Sequence, residues 1–166
     1  MTDVASAARE LDDRTAILEL EGDYARRFDT RDGPGWANLF TEGGVYQGAP
    51  IPGMPDATPP IVGRANLAQA CEKMPGSSIH MLNAPQISFN GDRATGRVHF
   101  VFENTRVDEY SNSHQMRIVA YYHVEYERTE DGWRIRNRVT VPFSVETSSR
   151  CGYQSDIALP GAAGDR

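Results

Sequence analysis

Few side chains in this sequence are suited to moving protons. The histidines are His80, His99, His114 and His123, and imidazole is the side chain whose ordinary pKa lies in the physiological range. His80 follows Ser77, Ser78 and Ile79 and precedes Met81 and Leu82. Apolar surroundings of this kind disfavour the imidazolium and leave a ring able to accept a proton. Asp29 sits at the edge of an apolar helical stripe, where a carboxylate must find a donor or bear a desolvation penalty. Tyr24 belongs to that stripe, and its hydroxyl needs a partner if buried. Glu21 falls in the same arc, either as a snorkelling residue at a subunit contact or as a buried acid. The chemistry these types support is general acid–base catalysis.

Other chemistries find less support. The chain has no GxSxG, GxxxxGK[ST], HExxH or GxGxxG motif, which disfavours nucleotide-dependent reactions and metal hydrolysis. His99 and His123 have no ligand-like spacing, so no metal and no cofactor is expected. Cys71 and Cys151 form no CxxC pair and are expected as reduced thiols, with Cys71 buried.

The elements that position these groups follow from periodicity. Residues 1–12 are Ala-rich and polar and are expected frayed or loosely helical, with Asp12 or Asp13 capping a helix over about 14–30. Ile17, Leu20, Tyr24 and Phe28 form its apolar face. Asp32 caps a short second helix with Pro34 in its first turn and Trp36, Leu39 and Phe40 as its apolar side. Gly43-Gly44 ends that helix, Val45-Tyr46-Gln47 reads as a strand, and a Gly- and Pro-rich loop over 48–60 could edge a pocket. A third helix spans about 64–74, with Leu67, Ala70, Cys71 and Met74 inward.

The remainder reads as strand: 78–89, a type I′ turn at Asn90-Gly91, 93–106, then 115–129, a turn at Asp131-Gly132, and 133–145. With a two-residue loop at Asn90-Gly91, His80 lies opposite Val101, beside His99 or Glu103. A bulge at Pro85 shifts the register by one and brings Asn104 to that face instead. Helices followed by long antiparallel strands define an α+β domain with a curved sheet around the helical layer.

Composition agrees with one globular domain. The 166 residues are 39% hydrophobic and 24% charged; residues 1–146 are expected as the domain and 147–166 as a loosely ordered tail. Lys and Arg number 17 against 23 Asp and Glu, a formal charge of -6, so no nucleic-acid partner is expected. No segment approaches the roughly 18 apolar residues of a membrane span, and the first residues lack a secretory pattern. A cytoplasmic protein without a membrane partner is expected.

Several stretches carry a family resemblance. Ile17, Leu20, Tyr24, Asp29-Thr-Arg-Asp32, Trp36, Leu39-Phe40-Thr, Val45-Tyr46, His80-Met-Leu-Asn83, Asn-Gly-Asp92-Arg-Ala94 and Tyr126-Glu-Arg-Thr-Glu-Asp-Gly132-Trp133-Arg-Ile together resemble SnoaL-like proteins of the nuclear transport factor 2-like superfamily. They are similar in particular to the branch with scytalone dehydratase and bile-acid 7α-dehydratase. The resemblance covers about residues 12–146.

The resemblance implies a cone-shaped α+β barrel enclosing a deep pocket where Tyr24, Asp29 and His80 meet as catalytic groups. It also implies a further polar pocket residue at Glu103 or Asn104. Trp36, Tyr46, Phe100, Phe102 and Tyr122 are candidate walls. The function it implies is a cofactor-free lyase or isomerase acting on a small hydrophobic hydroxy or carbonyl compound, polycyclic ones included. Such folds also serve as non-catalytic binding proteins and accessory subunits of ring-hydroxylating dioxygenases, and as other enzymes such as cyclases and hydrolases. Relatives associate as dimers or trimers through the outer sheet face, so a homo-oligomer is expected.

Overall fold

Helix α1 begins the fold at Val4 and runs without a break to Asp29 in the computed structural model, which describes residues 4–48 and 59–151. The expected start near residue 14 is therefore too late. Ala, Arg, Glu and Leu before Asp12 are good helix formers and carry the helix back toward the N-terminus. Asp13 is not a cap. Its carboxylate accepts hydrogen bonds from Trp133 Nε1 at 3.1 Å and from Arg128. The inward stripe of α1 is Ile17, Leu20, Glu21, Tyr24 and Phe28.

A turn at Arg31, whose φ is 61°, leads into α2 (Gly33–Ala37). Asp32 caps α2 by accepting from the Gly35 N–H at 3.0 Å, and Pro34 occupies its first turn, where a missing N–H costs nothing. Leu39 and Phe40 lie beyond α2. Phe40 is drawn instead into strand β1 (Phe40–Gln47) by its pairing with Ile135. Strand β2 (Ile61–Val62) and α3 (Arg64–Glu72) follow, and α3 buries Leu67 and Cys71. Most of the loop expected to edge a pocket, residues 49–58, lies outside the described residues.

Strands β3 (Ser77–Leu82), β4 (Gln86–Asn90), β5 (Arg93–Val107), β6 (Ser113–Thr129) and β7 (Gly132–Arg150) complete a sheet ordered β2-β1-β7-β6-β5-β3, with β4 also on β5. The antiparallel ladders are as expected, but β1 runs parallel to β7, so the sheet is mixed. The region expected as a tail from residue 147 is still strand up to Arg150, because β6 pairs with it as far as Ser113. Beyond Cys151 that tail falls outside the described residues.

Two turns differ from the expected ones by a residue. Asn90 pairs with Arg93, so Gly91-Asp92 form the loop, and only Gly91 of the two has a positive φ, at 61°. The turn is therefore not type I′, which needs both. Thr129 likewise pairs with Gly132 around Glu130-Asp131. Residues 83–85 separate β3 from β4, and His80 pairs with Phe102 rather than Val101. The register thus takes the shifted alternative.

The inner sheet face buries Val98, Phe100, Phe102, Ile118, Tyr122, Val124, Tyr126 and Ile135 against Trp36, Phe40 and α1. Gly96 makes room for this packing: a Cβ there would lie 2.8 Å from the Tyr126 ring. Among the described residues no helix is long and apolar enough to cross a membrane.

Candidate active site

The end of α1 meets the start of β3 at Asp29. One carboxylate oxygen accepts the His80 backbone N–H at 2.8 Å, and the other lies 2.8 Å from His80 Nδ1 and 3.2 Å from Ser78 Oγ, which donates to it. With Asp29 as acceptor, Nδ1 carries the ring proton and Nε2 keeps its lone pair. Arg31 fixes the junction. Its guanidinium donates to Ser78 Oγ, to the Phe28 carbonyl that ends α1, and to the carbonyls of Met74 and Gly76 before β3.

The His80 side chain is only 4% exposed. It packs against Phe102 and Phe28 with ring centroids 4.6 and 5.2 Å away. Burial pushes its pKa below the usual histidine value, while the hydrogen bond and charge of Asp29 oppose that shift. The imidazole is accordingly neutral at physiological pH.

His80 forms part of the wall of a chamber of about 180 Å³, together with Phe28, Tyr46, Ile61, Met74, Phe100, Phe102, Met116, Ile118, Tyr122 and Thr140. Of the expected wall residues, Tyr46, Phe100, Phe102 and Tyr122 are there. Trp36 is not. It is wholly buried behind Tyr24, Phe28, Phe40 and Tyr46 as a core residue. Glu103 points to the opposite face of β5, where it accepts from Arg117 Nε at 3.1 Å. This settles the Glu103 and Asn104 alternatives in favour of the inner position of Asn104, although Asn104 lies outside the chamber. Its amide ties down the segment before β3, donating to the Pro75 and Ser77 carbonyls.

Tyr24 stands behind the chamber wall. Its ring lies 5.8 Å from that of His80 and 5.7 Å from that of Tyr122, and its hydroxyl hydrogen-bonds that of Tyr122. Burial raises both phenols well above their usual pKa, so both remain protonated. Between the two rings sits a residue that the sequence reading passed over. The Arg138 guanidinium lies 3.7 Å from the Tyr24 centroid and 3.8 Å from the Tyr122 centroid. Arg138 is fully buried and donates twice to Glu21 at 2.8 Å, and Tyr126 also donates to Glu21 at 2.8 Å. Burial works against the Arg138 charge, but Glu21 and the two phenols more than reverse this and raise its pKa. Glu21 is thus the buried acid of the two expected alternatives.

The other histidines lie elsewhere. His99 borders Tyr121, His123 is exposed, and His114 pairs with Asp108. Among the described residues no three His, Cys, Asp or Glu side chains cluster as metal ligands. Cys71 is buried and its thiol is pushed up to about 11 by desolvation, while Cys151 is exposed.

Helices packed on a sheet of this order, with an acid-paired histidine facing an apolar chamber, define a cone fold of the nuclear transport factor 2 kind. The chain belongs to the SnoaL-like domain family, whose model matches residues 9–139. A nuclear transport factor 2-like protein from Novosphingobium aromaticivorans is 27% identical, with a TM-score of 0.67 over 87% of this chain and 92% of that one. A type 2 hexachlorocyclohexane dehydrochlorinase is 21% identical, with a TM-score of 0.72 over 94% of this chain and 99% of its own. A Novosphingobium aromaticivorans protein provisionally assigned as a scytalone dehydratase is 16% identical, with a TM-score of 0.69 over 96% and 99%. The last two likenesses are of fold. Among curated proteins none matches.

Proposed function

We propose that the protein is a cofactor-free lyase of the dehydratase type, or an isomerase, that acts by general acid–base catalysis on a small hydrophobic hydroxy or carbonyl compound. The observation that carries this reading is a neutral, aspartate-oriented imidazole in the wall of an apolar chamber. On a β-hydroxy ketone, His80 Nε2 takes the proton next to the carbonyl while Asp29 holds the ring and stabilises the imidazolium. The Tyr122 hydroxyl, backed by Tyr24, donates to the carbonyl oxygen as charge develops there, an interaction strengthened by the dry surroundings. The imidazolium then protonates the departing hydroxyl. One C–H and one C–O bond break, a C=C bond forms, and water leaves. An isomerase returns the proton to a second carbon.

The test follows enone absorbance over a panel of one- and two-ring β-hydroxy ketones. His80→Ala and Asp29→Asn are expected to lower turnover by about a hundredfold or more. Wild-type turnover in either variant rejects the mechanism, and ketones that bind without any turnover point to a carrier or accessory subunit.

Self-association through the outer sheet face belongs to the same proposal. Ile79, Met81 and Phe143 are large apolar side chains exposed on β3 and β7. Tyr122, Val124 and Tyr126 lie on the inner face and are core residues, so they do not contribute to that surface.

A further inference from the structure

Inward-facing residues recur at every second position along β5 and β6, and the registers align them with β7 in rows. Phe102, Ile118 and Val145 form the row beside His80. Asn104, Met116 and Thr147 form the next, and Arg106, His114 and Ser149 the last. The wall therefore changes from aromatic to polar to cationic over about 13 Å, the distance from Phe102 to Arg106 at roughly 3.3 Å per residue.

A second cavity, of about 500 Å³, follows these last two rows and shares Met74 and Met116 with the chamber at His80. Beside it the segment before β3 closes on β5 only as glycine, since a Cβ on Gly76 would lie 2.2 Å from the Thr105 carbonyl oxygen and 2.9 Å from Arg106 Cβ. Among the described residues no acidic side chain lines the cavity. The nearby carboxylate of Asp108 is already engaged by His114 Nε2 and by the backbone N–H groups of Tyr110 and Asn112. His114 Nδ1 is occupied by Ser149 Oγ. Arg106 is exposed at the rim of the cavity, and among the described residues its guanidinium has no carboxylate partner.

The chamber at His80 is little larger than the roughly 150 Å³ that accommodates one benzene. A ligand of more than one or two rings, with its reacting end at His80, outgrows this chamber, and past Met74 and Met116 it has the outer cavity to extend into. Its far end then reaches Arg106. We propose that the natural ligand is elongated, with an apolar hydroxy or carbonyl head at His80 and a terminal carboxylate held by the Arg106 guanidinium. One unpaired guanidinium balances one negative charge, and its planar fork matches the two carboxylate oxygens. This rests on the acid–base reading for which end of the ligand reacts.

The test is calorimetric and needs no turnover. It compares 4-(2-naphthyl)butanoate with 4-(2-naphthyl)butan-1-ol, which share a frame and differ in terminal charge. Wild-type protein is expected to bind the carboxylate about tenfold more tightly at low salt, a preference that shrinks as salt screens it. Arg106→Gln should bring the two within about twofold by weakening the carboxylate alone, and Met116→Trp, which fills the junction, should weaken both. Equal affinities in wild type, a preference that survives Arg106→Gln, or no binding of either compound overturns the proposal. Asp29→Asn should keep the preference; loss of turnover in that variant, or its persistence, bears on the acid–base mechanism alone.

Discussion

At the residue scale, the pair of Asp29 and His80 makes a statement about pH. Burial holds the folded-state pKa of His80 below 6.5, so kcat/KM should rise with pH along a limb whose midpoint lies below that value. Asp29→Asn removes the hydrogen bond and charge that oppose the shift, and the limb should move further toward acid as its plateau drops. No basic limb is expected from Tyr24 or Tyr122, whose hydroxyls stay protonated. A pH–rate profile of wild type and variant checks both directions. Stability follows the same sign. As pH falls the unfolded chain takes up the proton first, so the contribution of neutral His80 is complete above about 6.5 and is lost as pH falls through the folded-state value. Tyr24, Asp29 and His80 were legible because each is a polar group in an apolar pattern. Arg138 was not, since Arg134, Arg136 and Arg138 alternate with Ile135, Asn137 and Val139 and read as a solvated face. The irregularity between Glu125 and Tyr126, which pair with Asn137 and Ile135, leaves Arg136 unmatched and turns Arg138 inward with Ile135.

At the scale of elements, the bidentate contact from Glu21 to Arg138 fastens α1 to β7 inside the core. Leaving either charge buried alone costs about 3–5 kcal/mol, whereas an apolar pair of similar volume avoids that penalty. Urea denaturation should therefore find Glu21→Leu and Arg138→Met each strongly destabilising, and the double variant less so than either. Additive losses would mean that the pair is not coupled. The helices and hairpins were readable from spacing and from Gly-containing turns, but their edges were not. Propensity before Asp12 extends α1, strand pairing takes Phe40 from α2, and pairing with β6 takes residues 147–150 into β7. The last two boundaries are decided by a neighbour distant in sequence, which periodicity does not register.

At the scale of the whole molecule, the sheet has an inner face committed to the core and an outer face with unpartnered apolar groups. Exposed Ile79, Met81 and Phe143 are expected to be covered in a homo-oligomer, because exposed apolar surface favours association. Sedimentation at micromolar concentration should show more than the 18.4 kDa chain; a monomer at that concentration removes the proposal. The α+β class was readable from element order alone, but the parallel pairing of β1 with β7 was not, since it joins Phe40 to Ile135 across most of the chain, beyond the reach of local pattern.

The placement of the two tryptophans has an optical consequence. Trp36 is wholly buried with its ring 5.8 Å from that of Tyr46, a chamber wall residue, whereas Trp133 packs on Phe89 and Arg128, near the Asp13 end of the sheet. The chain thus carries one intrinsic fluorophore behind its chamber and one remote from it. Emission of a Trp133→Phe protein reports whether the chamber is filled, and that of a Trp36→Phe protein supplies the silent reference.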